Sequence, residues 1–228
     1  MTGVDFYILN ESKDLDDSLL KKWVGALQRS RLHDFLPVAG GYIGEIHVIG
    51  RGGKLADNMP GGVMSDVAQK DYLGEHHIEG VPRFVVSMPA CKSDNVVPST
   101  VLDHEVKELD QDPGAAECIE LEDGTLLAKE ECDPVEGDSG TYYVDGVALE
   151  NFVLPFAYFQ GIGSKYDFRG VLKKPFGEDL APGGYQLLKK PGHQWSQITG
   201  ELARASKAAP APWKWSRRGK RVGRGVKL

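Results

Sequence analysis

An α+β fold is predicted by three observations. A short strand pattern opens the chain, a strongly periodic amphipathic helix follows it, and the later strand segments are interrupted by a second long helical stretch. Residues 4–9 (Val-Asp-Phe-Tyr-Ile-Leu) read as the first strand, and Asn10-Glu11-Ser12 supplies turn chemistry. Asp16-Asp17-Ser18 offers an N-cap, and Leu19, Leu20, Trp23, Val24 and Leu27 recur at helical spacing, so a helix is expected to about Leu32. Residues 42–50 alternate in part and predict a second strand. Gly52-Gly53 and Asn58-Met59-Pro60-Gly61-Gly62 punctuate a loop, and residues 82–88 predict a third strand. Pro98-Ser99-Thr100 opens the second helix, which Asp112-Pro113-Gly114 stops. Two hairpins are expected after it, around Glu122-Asp123-Gly124 and Asp145-Gly146. From Gly161 the periodicity fades into Gly, Pro and Lys, and from Ala203 the composition turns to Ala, Pro, Trp and Arg. The predicted organisation is a domain over 1–160 with a small mixed sheet, a backing helix and a second helix; an irregular extension packed on it over 161–202; and an extended basic arm over 203–228.

The 228 residues are 41% hydrophobic, which suits one sizeable domain with extensions. No apolar run approaches the roughly 18 residues that would span a bilayer, and no membrane association is expected. The first residues lack the basic and apolar regions of a signal peptide. Three cysteines without a C-x-x-C spacing argue against a disulfide framework or a thiolate zinc site and favour a reducing compartment. The net charge of −6 is unevenly spread: residues 101–150 carry 16 of the 33 acids and only two bases. Trp213 to Leu228 carry seven bases and no acid, so the rest of the chain holds 20 bases against 33 acids, a net of −13. The middle should attract cations and the tail anions.

The second helix carries His104-Glu105-Val106-Lys107-Glu108, an H-E-x-x-E pattern. The zinc-peptidase signature is H-E-x-x-H on a helix: two ligands four residues apart share a face, and the Glu between them is the general base. Glu108 stands where the second His would be, and a carboxylate ligates zinc at about 2.0–2.2 Å. Taken alone, the same letters are common on solvated acidic helix faces. The predicted order of strand, helix, strand, loop, strand and motif helix is also that of zinc peptidases of the zincin class, in which the motif helix lies beneath the sheet's edge strand.

A zinc site needs a third protein ligand, and the acid-rich stretch 129–136 is the expected supplier. In the thermolysin-like branch of zincins a Glu on a later helix completes the site, and an Asp just after it supports a zinc-bound His. By that analogy Glu130 is the third ligand. Asp133, three residues on, would accept from the free ring nitrogen of His104 if Glu130 and Asp133 lay on one helical turn. Asp133, Glu136 and His77 are also alternative ligands. His76-His77 reads as ligands, as a group polarising a substrate carbonyl, or as a loop pair that packs or faces solvent. Tyr143 is a candidate transition-state donor, and strand packing is the other reading of Tyr142-Tyr143. Zn²⁺ is the expected ion, ahead of Ca²⁺, because no D-x-D-x-D-G loop is present.

These segments resemble an uncharacterised family from tailed bacteriophages and prophages, labelled as metallopeptidases with a zincin-like H-E-x-x-E site. The resemblance rests on Gly74-Glu75-His76-His77 with Gly80-Val81-Pro82, the motif with Asp112-Pro113, and Glu130 with Asp133-Pro134-Val135-Glu136. It continues through Tyr143-Val144-Asp145-Gly146-Val147, Asn151-Phe152-Val153-Leu154-Pro155 and Gly183-Gly184-Tyr185. It spans roughly residues 1–190. The motif helix departs from it at Leu109-Asp110-Gln111, where the family is more apolar. The resemblance implies zinc-dependent peptide hydrolysis, with phage virion or assembly proteins as partners. It also implies a place in the host cytoplasm during infection or in the virion. A structural virion protein that keeps the fold without turnover is the alternative. The arm, with Trp213, Trp215, Arg217, Arg218, Lys220, Arg221 and Arg224, is expected to bind nucleic-acid phosphate or an acidic partner.

Overall fold

A computed structural model of the chain describes residues 3–69, 72–78, 80–154, 165–174, 180–200 and 224–227. It is an α+β structure that divides into two compact units, Met1–Gly114 with Tyr142–Glu150, and Ala115–Thr141 with Asn151–Leu228. This differs from the expected single domain over 1–160, because the chain leaves the first unit after the motif helix and returns to it only for one hairpin.

The first unit begins as predicted. Strand β1 (Val4–Asn10) leads through a turn in which the Asn10 side chain donates to Leu15 and Asp17 and accepts from the Ser12 N–H. Helix α1 (Asp17–Ser30) follows, N-capped by Asp16, whose carboxylate accepts from the Ser18 N–H at 2.7 Å. A π-helical turn, Arg31–Phe35, and a short helix α2 (Leu36–Ala39) extend it. Then come β2 (Ile43–Ile49), β3 (Gly61–Ser65), β4 (Gly74–Ile78) and β5 (Pro82–Ser87). Helices α3 (Met88–Ser93) and α4 (Pro98–Gln111) complete the run.

The sheet order is β2-β1-β3-β5-β4. Its pairs are parallel except at the edge, where β4 runs antiparallel to β5, with His76 opposite Phe84. The sheet is therefore mixed, as expected. Two of its strands depart from the expectation: β3 starts at Gly61-Gly62, where a loop was expected, and β4 forms over residues without a strand pattern. Gly62 is there because the Phe84 ring of the neighbouring strand occupies the space a Cβ would take. Phe84 in turn stacks on Phe6, ring centroids 5.8 Å apart. Helix α1 backs β2, and α4 packs against β4 and β5. The hairpin at Asp145-Gly146 forms as β8 (Tyr142–Val144) and β9 (Val147–Leu149), and β9 packs on α4.

The second unit holds the other expected hairpin, β6 (Glu117–Glu120) and β7 (Leu126–Ala128). Two further strands, β10 (Tyr185–Lys189) and β11 (Ser196–Thr199), lie where an irregular extension was expected. The last strand, β12 (Arg224–Lys227), pairs parallel with β6 and gives the order β11-β10-β7-β6-β12. So the arm expected over 203–228 ends in a strand. Its Arg217, Arg218, Lys220 and Arg221 lie outside the described residues, and only the backbone of Arg224 is described. Leu127, Val135, Val153, Leu172 and Ala181 form the core of this unit. Buried Asp167 ties its loop together, accepting from the Asn151 side chain and from the N–H groups of Arg169, Val171 and Leu172. The three cysteines are buried and free, so no disulfide forms. Among the described residues no helix is long and apolar enough to cross a membrane.

Candidate metal centre

Helix α4 is buried from Ser99 to Asp110 on every side, which excludes the solvated acidic face. At roughly 100° per residue its side chains sort into three faces. Leu102, Val106 and Leu109 form the apolar one, and Leu109 shares a small cavity lining with Phe6 and Ile43 of the sheet. Asp103, Lys107 and Asp110 form a polar face that anchors the helix. The Lys107 ammonium donates to Asp103 at 2.5 Å, to the Glu150 carbonyl at 2.6 Å and to the Tyr142 hydroxyl at 3.2 Å. Asp110 takes the Arg31 guanidinium at 2.5 Å and the N–H groups of Tyr42 and Ile43 at 2.6 and 2.7 Å. These are buried charges with their partners supplied, the condition under which such charges are tolerated.

The third face carries His104, Glu105 and Glu108. His104 Nε2 lies 3.1 Å from Glu108 Oε1, one turn along the helix. Strand β4 faces this side of the helix. Alternation along a strand puts Gly74 and His76 on one side and Glu75 and His77 on the other. His76 is accordingly 4% exposed, with Nδ1 3.2 Å from Glu105 Oε2 and 3.4 Å from Glu108 Oε2. Gly74 lies over the Glu105 carboxylate so closely that a Cβ there would collide with it. The donor facing the motif helix is thus His76, and the expected alternative ligand His77 is on the opposite side of the strand. Recognising 74–78 as a strand would have separated the two by parity alone.

Burial pushes the Glu108 carboxyl up. The charge and hydrogen bonding of His104, joined by those of His76, outweigh it and hold the group well below the usual carboxylate range. Glu108 is therefore an anion at neutral pH, as a ligand must be.

A tetrahedral zinc ion with donors at about 2.0–2.2 Å sets them about 3.3–3.6 Å apart. The spacings of 3.1 Å between His104 and Glu108 and 3.4 Å between His76 and Glu108 fall within a few tenths of an ångström of that edge. His104 and Glu108 belong to one cluster of buried donors that could hold a metal ion, and His76 and Glu108 to another. The donor set suits a divalent ion.

Glu130 and Asp133 are buried within the second unit. Glu130 lies outside any helix and the 3-10 turn starts only at Asp133, so the two share no helical face. Pro134 allows a turn to begin there but not to extend back through Glu130. Glu136 is half-buried just after that turn. Tyr143 is 70% exposed, whereas Tyr142 is buried with its hydroxyl 2.5 Å from Ser30 Oγ. Strand parity thus turns Tyr143 away from the buried cluster and undercuts its expected role as a donor. No known protein family, curated protein or solved structure matches the chain, so the centre is read from its own residues and geometry.

Proposed function

We propose that the protein is a zincin-like, metal-dependent hydrolase of peptide bonds, with His104 and Glu108 as ligands and Glu105 as the general base. The observation that carries this reading is the buried H-E-x-x-E face, with His104 Nε2 and Glu108 Oε1 3.1 Å apart beneath an antiparallel edge strand. Zn²⁺ would supply Lewis-acid chemistry there, making water more acidic and polarising a carbonyl. Glu105 takes a proton from water as the water oxygen attacks the carbonyl carbon. It returns that proton to the leaving amine as the C–N bond breaks. His76 Nδ1 lies 3.2 Å from Glu105 Oε2, close enough to hold the carboxylate in place for both steps. A carboxylate ligand in place of a second imidazole adds negative charge and weakens the Lewis acid, so turnover should be slow or confined to a narrow set of substrates. The third ligand expected from the sequence, Glu130, stands as part of this proposal.

The purified chain is expected to carry at least one zinc. Glu105→Gln should keep fold and metal while abolishing cleavage of a peptide-library substrate, and His104→Ala should lower zinc affinity. A metal-free chain that stays metal-free in added zinc would overturn the reading. Retained affinity in Glu130→Ala would move the third ligand elsewhere. The resemblance to phage proteins adds a setting, a virion or an infected cell, which mass spectrometry of purified particles tests by copy number.

A further inference from the structure

We propose that this face holds two divalent ions bridged by the Glu108 carboxylate, an inference that rests on the metal-centre reading above. Glu108 does not turn both oxygens to one point. Oε1 lies 3.1 Å from His104 Nε2, and Oε2 lies 3.4 Å from Nδ1 of His76 on the strand. A carboxylate serving one ion directs its donors to that ion. One with a separate imidazole at each oxygen is arranged to bridge. The cluster containing His104 and Glu108 is distinct from the one containing His76 and Glu108, and Glu108 is common to both. Two-ion hydrolytic sites hold their ions about 3.5–4 Å apart, a spacing that a bridging carboxylate spans.

The elements that present these groups are fixed independently of any ion. Asp110 and Lys107 pin α4 on its opposite face, and β4 is held by its register with β5. The two histidines are 7% and 4% exposed, so both donor sets are screened from water. Imidazole and carboxylate donors suit Zn²⁺, Mn²⁺, Co²⁺ or Fe²⁺ and disfavour soft ions such as Cu(I). With two ions, His76 is a ligand in its own right as well as a neighbour of Glu105. Such a centre has one ion available to activate water and a second to hold the oxygen of a substrate.

The test uses the full-length chain, stripped with a chelator and reloaded separately with Zn²⁺ and Mn²⁺. Metal analysis should give two zinc ions per chain. The Mn²⁺ form should show an exchange-coupled electron paramagnetic resonance signal, which needs no substitution. His76→Ala and the more conservative His76→Gln should each bind one ion and lose the coupling, and His104→Ala should do the same from the other side. One ion in the parent chain, unchanged in both His76 variants, would overturn the bridged centre and leave the one-ion hydrolase standing. Two uncoupled ions, neither lost in the His76 variants, would also overturn it. No bound ion at all would overturn both.

Discussion

Lys107 carries the most tightly enclosed positive charge near the site. It is fully buried on the motif helix, and Asp103, Tyr142 and the Glu150 carbonyl take its protons. Removing it leaves Asp103 buried without its cation, and Lys107→Met should cost about 3–5 kcal/mol in denaturant unfolding. Burial already pushes the Asp103 carboxyl up, and the charge of Lys107 opposes that shift. An acid raised in the fold favours the native state when protonated, and that contribution is lost as pH rises through the folded value. The deficit of Lys107→Met should therefore shrink towards acid pH and be largest at neutral pH; a pH-independent deficit would show that Asp103 is not the group left stranded. Tyr142 obeys the same sign. Burial lifts its phenol from 10.0 to about 12, against the pull of Lys107, so its contribution is complete below pH 10.0 and fades towards about 12. Phenolate absorbance should show one late-titrating tyrosine that is missing in Tyr142→Phe.

Helix α4 and strand β4 show what an element adds to its residues. The helix was legible because Pro98 and Asp112-Pro113 bound it and His104, Glu105 and Glu108 fall at helical spacing. Its complete burial was not, since the charges that read as a solvated face are paired by Arg31 and His76, 73 and 28 positions before His104. Strand β4 was hidden by composition, its Gly and paired His lacking the β-branched signal of a strand. Strand β3 was hidden because Gly61-Gly62 reads as a turn, whereas Gly62 makes room for Phe84 across the sheet. Both glycines yield tests. Gly62→Ala drives a methyl into a rigid ring and should destabilise the first unit by about 1–3 kcal/mol or more. Gly74→Ala meets the Glu105 carboxylate, which can swing aside, but also Glu105 Cγ and the buried, β-branched Val101 of α4, which cannot. The expected outcome is a lowered melting temperature together with hydrolysis impaired well beyond any change in metal content. Hydrolysis per folded chain equal to the parent's would place the role of this glycine in packing alone.

At the scale of the molecule, the acidic middle and the basic tail were legible as charge, but the tail's last strand was not. Arg-Gly-Val-Lys has no strand pattern of its own and is set by pairing with β6. Truncation after Ala211 therefore removes two things at once: all seven clustered cations, six that precede or open that strand and Lys227 within it, and the parallel partner of β6. The two effects separate by measurement. Loss of an edge strand should lower the melting temperature of the second unit and leave metal binding by the folded chain unchanged. Loss of the cations should abolish binding to a random-sequence oligonucleotide. In the full chain that binding should weaken with salt at a log–log slope of about −0.7 to −0.9 per phosphate neutralised. Copy number in particles should fall as well if the tail anchors the chain in a virion. Oligonucleotide binding that is equal in the two chains at low salt, together with equal copy number, would assign the tail to the second sheet alone, its charges serving only to keep an exposed edge from pairing with another chain.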